Sequence, residues 1–295
     1  MYSNYISSPG NTARILSKYG IKLKKRLGQN FLIDTNSAKK IVRYAGVNSK
    51  DIILEIGSGI GSLTQIILGE AKKVVCVEID ELLVRAFKEI FSEDLRKGAE
   101  GSKLELIQAD ALKLNYTDLV REYGINKIVS NLPYSIAATL LLKILVEAHN
   151  LEELFFTIQK DIAERLIALP GDKNYSSYTV KASFLADFKF CFQIPRNCFI
   201  PKPFVDSEVI EVHRRENELM KDPDFDIKDF FDFINACFSH RRKKLINSLS
   251  QSGSRYCDKT ELVIELLSGM NKNRDIRAEE LTLDDYIYLY KELNT

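Results

Sequence analysis

Short apolar runs alternate with stretches of helical spacing between residues 52 and 169, and this alternation limits the possible folds more than any other feature. The apolar runs predict strands, at 52–56, 74–78, 104–107, 127–130 and 154–158. The intervening stretches predict helices, at 63–68, 82–95, 137–148 and 162–169, and a further helix precedes them from Asp34 or Asn36 to Gly46. Strands that alternate with helices indicate an α/β fold with a parallel, helix-covered sheet.

The pattern changes near Pro195. A proline-rich loop at 195–203 leads into the segment 208–212, and after Pro223 the chain has helical spacing, at 227–238, 244–249, 261–267 and 283–293. We therefore predict a first domain over residues 1–200, with 1–20 as a candidate disordered segment, and a smaller, mainly helical domain over 201–295.

Composition excludes several classes of protein. The chain has 42 Lys+Arg against 41 Asp+Glu, a net charge of +1, which argues against a protein that coats nucleic acid over its whole surface. The five cysteines form no CxxC pair and none is spaced from a histidine as a metal ligand would be, so we expect free thiols and no metal. Because no apolar run has membrane-spanning length and the start lacks a signal sequence, we expect a cytoplasmic, monomeric protein without a membrane partner.

Three strand ends carry groups that suit a nucleotide-like cofactor. The letters GSGIG at 57–61 follow the first strand, and Gly57 and Gly59 would let a ligand approach the main chain. Glu78 ends the next strand, where a carboxylate can accept hydrogen bonds from both ribose hydroxyls, and Asp110 follows the third, where it could bind an adenine amino group. A tight turn without ligand and a helix cap are the alternatives. The GxGxG spacing favours S-adenosylmethionine over a dinucleotide, which needs GxGxxG for its pyrophosphate.

The tetrapeptide Asn-Leu-Pro-Tyr at 131–134 directly follows the fourth strand. The side-chain oxygen of Asn131 and the carbonyl of Leu132 could each accept one hydrogen from an exocyclic adenine amine, which would aim the nitrogen lone pair at a methyl donor. Pro133 stiffens the turn, and Tyr134 could stack on an extruded base. An ordinary Asn-x-Pro turn is the alternative, and three preceding polar strand ends make it less favoured.

Other residues could contact a nucleic-acid substrate. Phe199 lies on the proline-rich loop and could stack on the second face of the base, although a core phenylalanine would have the same spacing. Two basic clusters could bind phosphates, or could simply be solvated faces. They are Lys22, Lys24, Lys25 and Arg26, and Arg241, Arg242, Lys243 and Lys244.

Taken together, these motifs resemble the KsgA/RsmA family of ribosomal RNA adenine dimethyltransferases over nearly the whole chain and in family order. The matching segments lie at 25–32, 55–59, 77–80, 110–111, 131–134, 159–160, 199–207, 241–245 and 277–281. The resemblance implies a Rossmann-like class I methyltransferase sheet with helices on both faces and a small helical, rRNA-binding domain. It implies a cofactor site made by Gln29, Asn30, Leu32, Gly57, Gly59, Glu78, Ile79, Asp110, Ala111 and Asn131.

The family dimethylates two adjacent adenosines near the 3′ end of small-subunit (16S) rRNA, within pre-ribosomal 30S particles, so the resemblance implies this activity here. Ser58, where the family often has proline, and the segment 175–180 depart from the family pattern. A macrolide-resistance type of large-subunit dimethyltransferase and an assembly checkpoint factor with secondary catalysis remain alternatives. A nicotinamide-dependent dehydrogenase is disfavoured by the glycine spacing.

Overall fold

A computed structural model describes residues 5–24, 27–96, 102–148, 150–216 and 218–294. The chain divides into two compact units, which we describe separately. Unit 1 comprises Met1–Ala163 and Phe188–His213, and unit 2 comprises Glu164–Asp187 and Arg214–Thr295.

The main sheet has seven strands in the order β4-β3-β2-β5-β6-β9-β7. These strands are β2 (Ile52–Ile56), β3 (Lys73–Glu78), β4 (Leu104–Gln108), β5 (Lys127–Asn131), β6 (Glu153–Gln159), β7 (Ala186–Ile194) and β9 (Ser207–Arg214). A separate antiparallel pair joins β1 (Phe31–Leu32) to β8 (Phe199–Ile200). The five predicted parallel strands are all present, and β9 adds to the edge of β6 in antiparallel orientation, so the sheet is mixed rather than wholly parallel.

Strand order reverses between β2 and β5. From β2 the chain moves outward to β3 and β4, and then returns to β5 on the other side of β2. Because crossovers between parallel strands are right-handed, the two directions of travel bring helices to opposite faces of the sheet, as predicted. The reversal also opens a crevice beyond the carboxyl ends of β2 and β5, which is where ligands of such sheets bind.

Among the described residues, eight helices lie in or begin within unit 1. They are α1 (Pro9–Lys18), α2 (Thr35–Tyr44), α3 (Thr64–Glu70), α4 (Glu81–Ile90), α5 (Ser92–Arg96), α6 (Tyr116–Tyr123), α7 (Ala137–Glu147) and α8 (Lys160–Leu166). The Asp34 carboxylate accepts from the Ser37 amide and so caps α2, as one of the two predicted caps. The predicted helix at 82–95 is two helices, because Phe91 ends α4 before Ser92 begins α5.

The start of the chain is ordered over α1, although residues 1–20 had no apolar pattern to suggest it. The Ser8 hydroxyl accepts from the Asn11 amide at the helix start, and Pro9 occupies the first turn, where its missing N–H is no loss. The Ile6 amide donates to Gln65 at 2.8 Å, so contacts distant in sequence attach this segment to α3. Local hydrophobicity could not reveal such a contact.

Unit 2 is built around aromatic side chains. Its helices are α9 (Ser177–Leu185), α10 (Ile227–Cys237), α11 (Leu245–Ser250), α12 (Thr260–Gly269) and α13 (Leu283–Asn294). Phe184 of α9 lies 4.7 Å from the Phe230 ring of α10, and Phe233 lies 5.0 Å from Tyr256, measured between ring centroids. The atypical 175–180 segment therefore contains the start of a core helix, which Ser176 and Thr179 begin with a reciprocal capping box.

The two compact units divide the chain at points other than the expected 200/201 boundary. β9 pairs with β6 through six residue pairs from Leu154↔Val212 to Gln159↔Ser207, so the segment at 207–213 belongs with the sheet. The segment at 164–187, which includes α9, belongs instead with the helical unit. Separately, among the helices that the structure describes, none is long and apolar enough to cross a membrane.

Candidate active site

The carboxyl ends of β2, β3, β4 and β5 surround one cavity in unit 1. Its empty volume is about 1100 Å³, which includes open solvent at the mouth. Twelve of the residues predicted for the site line it, namely Gln29, Asn30, Leu32, Gly57, Gly59, Glu78, Ile79, Asp110, Ala111, Asn131, Leu132 and Pro133. The structure thus brings together the motifs that sequence spacing could only align along the chain.

Glu78 is buried at the end of β3, where its carboxylate accepts three backbone amides at 2.9 Å. One oxygen accepts from Gly59 and the other from Ile79 and Asp80. Burial raises the pKa of Glu78, and these amides oppose that shift because they favour the charged form. The amides fix the carboxylate at the position where a ribose would bind.

Asp80, two residues beyond Glu78, connects β3 to the segment before β1. Its carboxylate accepts from the Gln29 side chain at 2.9 Å and pairs with the Lys24 ammonium at 2.7 Å. Burial would raise its pKa, but the hydrogen bonds from Lys24 and Gln29 outweigh this and lower it. Lys24, predicted to bind RNA phosphate, is thus paired within the site. Lys25 and Arg26 lie outside the described residues.

Asp110 lies at the end of β4 in a turn, half-buried, and does not begin a helix. One carboxylate oxygen accepts from the Leu112 amide at 3.0 Å, and the Asp110 carbonyl accepts from Lys113. The turn orients the side chain beside Ala111 in the cavity wall.

Two glycines allow the loops around the cavity to approach each other closely. A Cβ on Gly57 (φ +75°) would lie 2.9 Å from Pro133, and one on Gly28 (φ +62°) would lie 2.4 Å from the Ser135 amide. Side chains rarely adopt such backbone angles, and there is no room for one here. The Asn-Leu-Pro-Tyr loop therefore rests directly on backbone at both sides.

A buried hydroxyl joins the ends of β2 and β5. Ser130 accepts from the Ile56 amide at 2.6 Å and donates to the Ile56 carbonyl at 2.8 Å. Ser130 was not predicted as a site residue, and only its place one residue before Asn131 could have suggested it. It sets the two loops at a fixed separation.

Asn131 has one satisfied and one unsatisfied side-chain atom. Its Nδ2 donates to the Asn30 carbonyl at 3.2 Å, which leaves Oδ1 as the free acceptor. This oxygen is buried and has no hydrogen-bond partner among the described residues. A buried unpaired acceptor costs about 1–3 kcal/mol, so its retention beside a cavity indicates a ligand donor.

Tyr134 and Phe199 do not line the cavity. The Tyr134 hydroxyl makes a short hydrogen bond with Ser207 at the start of β9, and burial raises its pKa to about 12, so it stays protonated. Phe199 is only 1% exposed and packs in the apolar core, with its ring 6.3 Å from that of Tyr134. In this conformation Phe199 supports the Tyr134 ring and presents no free face to a base.

Glu55 also lines the cavity, although no prediction included it. Burial raises its pKa to about 8, against opposing hydrogen bonds from Thr64 and Cys76. The Thr64 hydroxyl donates to it at 2.6 Å. Glu55 is thus a protonated, hydrogen-bonded carboxyl at neutral pH.

Two buried hydroxyls of the turn after β2, Ser58 and Ser62, line the same cavity. Neither makes a hydrogen bond to the part of the chain that the structure describes. The Cys76 thiol lies near Ser58, but a thiol is a weak acceptor. Ser58 therefore adds polarity at a position where proline would add none.

The second basic cluster lies in unit 2, in the turn between α10 and α11. Arg241 pairs with Glu279 at 3.3 Å, Lys244 pairs with Asp275 at 2.7 Å, and Lys243 donates to Gln251. All four of its basic residues are exposed, so the cluster could still face a polyanion. The predicted Arg242 is in this turn as well.

The residues present fit S-adenosylmethionine. Glu78 and Asp110 offer acceptors to ribose hydroxyls and an adenine amine, and the glycine turn provides the close backbone approach. Unpaired buried polar atoms of Ser58, Ser62 and Asn131 require partners that such a polar ligand can supply. All five cysteines are free, and no group of side chains within the described ranges could hold a metal ion.

Comparisons with known proteins show similar sequences over nearly the whole chain. Residues 20–294 match the family model described as ribosomal RNA adenine dimethylase. The chain is 38% identical to ribosomal RNA small subunit methyltransferase A of Levilactobacillus brevis, over 96% of this chain and 94% of that protein. It is 36% identical to the protein of the same name from Clostridioides difficile, over 98% and 97%.

Solved structures show the same fold at lower identity. A dimethyladenosine transferase from Plasmodium falciparum superposes with a TM-score of 0.71 at 23% identity, covering 88% of this chain and 96% of that one. The 23S rRNA methyltransferase ErmE superposes with a TM-score of 0.58 at 21% identity, covering 90% and 99%. The α/β architecture with a helical C-terminal part is common to all three.

Proposed function

Because this chain belongs to the ribosomal RNA adenine dimethylase family, we propose that Asn131 and Leu132 hold the amino group of a target adenosine for methylation. The protein is an S-adenosylmethionine-dependent rRNA adenine dimethyltransferase, and its activity is N6,N6-dimethylation in small-subunit (16S) rRNA. Which residues perform the reaction is our own assignment.

The cofactor would lie along the strand ends in the order of the sheet. We assign its adenine to Asp110 and Ala111, its ribose to Glu78 and Ile79, and its amino-acid part to the turn after β2. The segment before α2, through Gln29, Asn30 and Leu32, closes the opposite wall. When bound, S-adenosylmethionine supplies an electrophilic methyl group on a sulfonium.

An adenine amine is a weak nucleophile because its lone pair is delocalised into the ring. Asn131 Oδ1 and the Leu132 carbonyl would each accept one N6 hydrogen, which orients the nitrogen and stabilises the positive charge that grows on it. The hydrogen bond from Asn131 Nδ2 to Asn30 fixes the amide so that the oxygen faces the substrate. No strong base is needed, since the N6 proton becomes acidic once the nitrogen is alkylated.

Tyr134 would form one face of the adenine site. Its hydroxyl is held by Ser207 and its ring by Phe199, so the ring is positioned before the base arrives. A ring that is already ordered loses little entropy when a base stacks on it. Phe199 then acts through Tyr134.

The substrate is an adenosine of a pre-ribosomal 30S particle in this proposal, and the enzyme acts on it as a cytoplasmic monomer. The exposed turn with Arg241, Arg242, Lys243 and Lys244 would contact rRNA phosphates, which attract basic side chains irrespective of sequence. Relatives named for the small subunit, at 33–38% identity, favour this substrate over large-subunit rRNA.

The unpartnered Oδ1 of Asn131 is the observation on which this assignment rests most. To test the assignment of substrate, purified enzyme with labelled S-adenosylmethionine is incubated with unmethylated small or large ribosomal subunits. Mass spectrometry of the digested rRNA should find N6,N6-dimethyladenosine only in small subunits. Dimethylation of large subunits alone would overturn the assignment of substrate.

The assembly-checkpoint alternative makes a different prediction about cells that lack this gene. If catalysis is the principal role, Asn131→Ala should fail to restore dimethylated rRNA and normal subunit maturation. If the variant restores maturation without dimethylation, binding rather than chemistry is the principal role.

A further inference from the structure

The phenylalanine that directly follows the proline-rich loop is almost fully exposed. Phe204 is 96% exposed, whereas Phe199, five residues earlier, is 1% exposed. Burying a phenylalanine side chain contributes about 1.5–3 kcal/mol, so Phe204 gives up nearly all of this contribution. Single exposed apolar residues are common, so the surroundings of Phe204 decide whether its exposure indicates a binding role.

The backbone around Phe204 is held in place from both sides. The Arg196 guanidinium donates to the Phe204 carbonyl at 3.1 Å, and Pro203 restricts the residue before it. Two residues later, the Asp206 carboxylate accepts from the Arg196 amide at 2.8 Å and from Gln193 at 2.6 Å. The loop thus presents an exposed ring from an ordered backbone.

Two basic residues are associated with Phe204, since Lys202 lies two residues earlier in the chain and Arg196 donates to the Phe204 carbonyl. Lys202 is exposed and has no ion-pair partner among the residues that the structure describes. The Arg196 side chain is also exposed, and its guanidinium donates to a carbonyl rather than to a carboxylate. An exposed aromatic ring on a segment with two exposed basic residues suits a polyanion that carries flat rings, which is single-stranded nucleic acid, better than an apolar protein surface.

The loop continues directly into the adenine site. Ser207, three residues after Phe204, holds the Tyr134 hydroxyl, and the Asp206 carbonyl accepts from the Lys160 amide at 3.0 Å. A nucleotide that contacts Phe204 would therefore belong to the same strand of RNA as the methylated adenosine.

We propose that Phe204 is a stacking platform for an unpaired rRNA base that flanks the target adenosine. This inference rests on the proposed function, because it requires the target to be single-stranded RNA. Lys202 and Arg196 contact the phosphates on either side of the stacked base. Phe204 contributes to RNA affinity and leaves the methyl-donor site unaffected.

The first test measures binding of an unmethylated RNA hairpin with the sequence of the 3′ end of small-subunit rRNA, at one fixed salt concentration. Base stacking on an aromatic side chain is worth about 5- to 150-fold in affinity, so Phe204→Ala should weaken binding by that factor. Phe204→Tyr keeps the ring and should bind normally, whereas Phe204→Leu keeps apolar bulk and should bind weakly. Affinity for S-adenosylhomocysteine should be unchanged in all three.

The second test uses the absence of tryptophan from the sequence. Phe204→Trp introduces a single tryptophan whose fluorescence should be quenched when the unlabelled hairpin is added, because stacked bases quench indole. Phe190→Trp, at a position of edge strand β7 that is 47% exposed, is the matched control and should not be quenched.

Three outcomes would overturn the proposal. They are equal RNA affinity of Phe204→Ala and wild type, equal binding by the leucine and tyrosine variants, and a wild-type dimer that Phe204→Ala dissociates in sedimentation. Each of these outcomes is distinct from failure of the proposed function. If the proposed function failed, wild type itself would not dimethylate small subunits.

Discussion

The two units differ in how their buried and half-buried polar groups are paired. In unit 2 the half-buried Asp229 carboxylate accepts from the Tyr256 hydroxyl at 2.6 Å, from the Tyr290 hydroxyl at 2.9 Å and from Arg255. In unit 1, Ser58, Ser62 and Asn131 each carry a buried side-chain atom without a partner in the described structure, and all three line the cavity. Tyr178 of unit 2 and Thr157 of unit 1 are the two other unpaired cases.

This difference separates groups that stabilise from groups that bind. A paired buried polar group adds stability, whereas an unpaired one costs stability until a ligand arrives. Substitution of a paired group should therefore mainly lower the free energy of unfolding. Substitution of an unpaired group should mainly lower catalytic activity.

Asn131→Ala should have the largest effect, and it should be on catalysis. Loss of one acceptor for a developing charge costs about 10²–10³-fold in kcat. Single-turnover methylation of small subunits measures this loss. The free energy of unfolding should change by no more than about 1 kcal/mol, because only the hydrogen bond to Asn30 is lost.

Urea denaturation and S-adenosylhomocysteine binding are the controls for Asn131→Ala. If the variant unfolds at much lower urea and keeps its kcat, then Asn131 stabilises the fold and the comparison fails at its central residue.

Asp229→Ala tests the other side of the comparison. Two tyrosine hydroxyls and an arginine would lose their common acceptor, so the free energy of unfolding should fall by about 3 kcal/mol. Affinity for S-adenosylhomocysteine should not change below the denaturation temperature. Asp232→Ala, an exposed position of the same helix, should be near neutral in urea denaturation. Equal stability of the two variants would contradict the prediction.

Sequence predicted the elements that local pattern determines. The strand at 52–56 and the nearby strands were placed within one residue of their bounds, because buried parallel strands have continuous apolar runs. Asn131, Leu132 and Pro133 line one cavity with Glu78 and Asp110, since parallel strand ends meet at one edge of a sheet.

Sequence could not predict what depends on distant contacts. α9 and β7 were missed because Ser177–Ile194 has neither clean helical nor clean alternating spacing. The pairing of Lys24 with Asp80 joins residues far apart in the chain, so a charge pattern alone suggested an RNA contact for Lys24. Phe199 and Phe204 lie five residues apart, and only the packing shows which ring is buried.

Glu55 is an informative case for this comparison, because it lines the cavity but its carboxyl is hydrogen-bonded to Thr64. Its folded pKa of about 8 exceeds its ordinary value of 4.5, since burial disfavours the charged form. As pH rises above 4.5 the unfolded chain loses this proton first, so wild type loses stability until pH reaches about 8.

Glu55→Gln removes this loss. Between roughly pH 5 and pH 7, the stability of wild type relative to the variant should fall by about 2 kcal/mol, as urea denaturation can measure. Taking the difference cancels other titrations, although Glu78 also acts on Glu55. A difference that is independent of pH would mean that Glu55 is ionised in the folded protein.

The smallest expected effect comes from alanine substitutions of two glycines. These substitutions separate the cost of a close contact from the cost of backbone strain. Gly57 and Gly46 have similar angles, φ +75° and +57°, but only Gly57 faces a neighbour, with Pro133 at 2.9 Å from an added Cβ. Substitution by alanine should destabilise both, and Gly57→Ala should cost about 1 kcal/mol more because Pro133 must move. That movement displaces the Asn131 loop, so methyl-donor affinity should fall for Gly57→Ala alone. If Gly46→Ala weakens binding equally, strain spreads through unit 1, and the cavity is not set by local contact between its two loops.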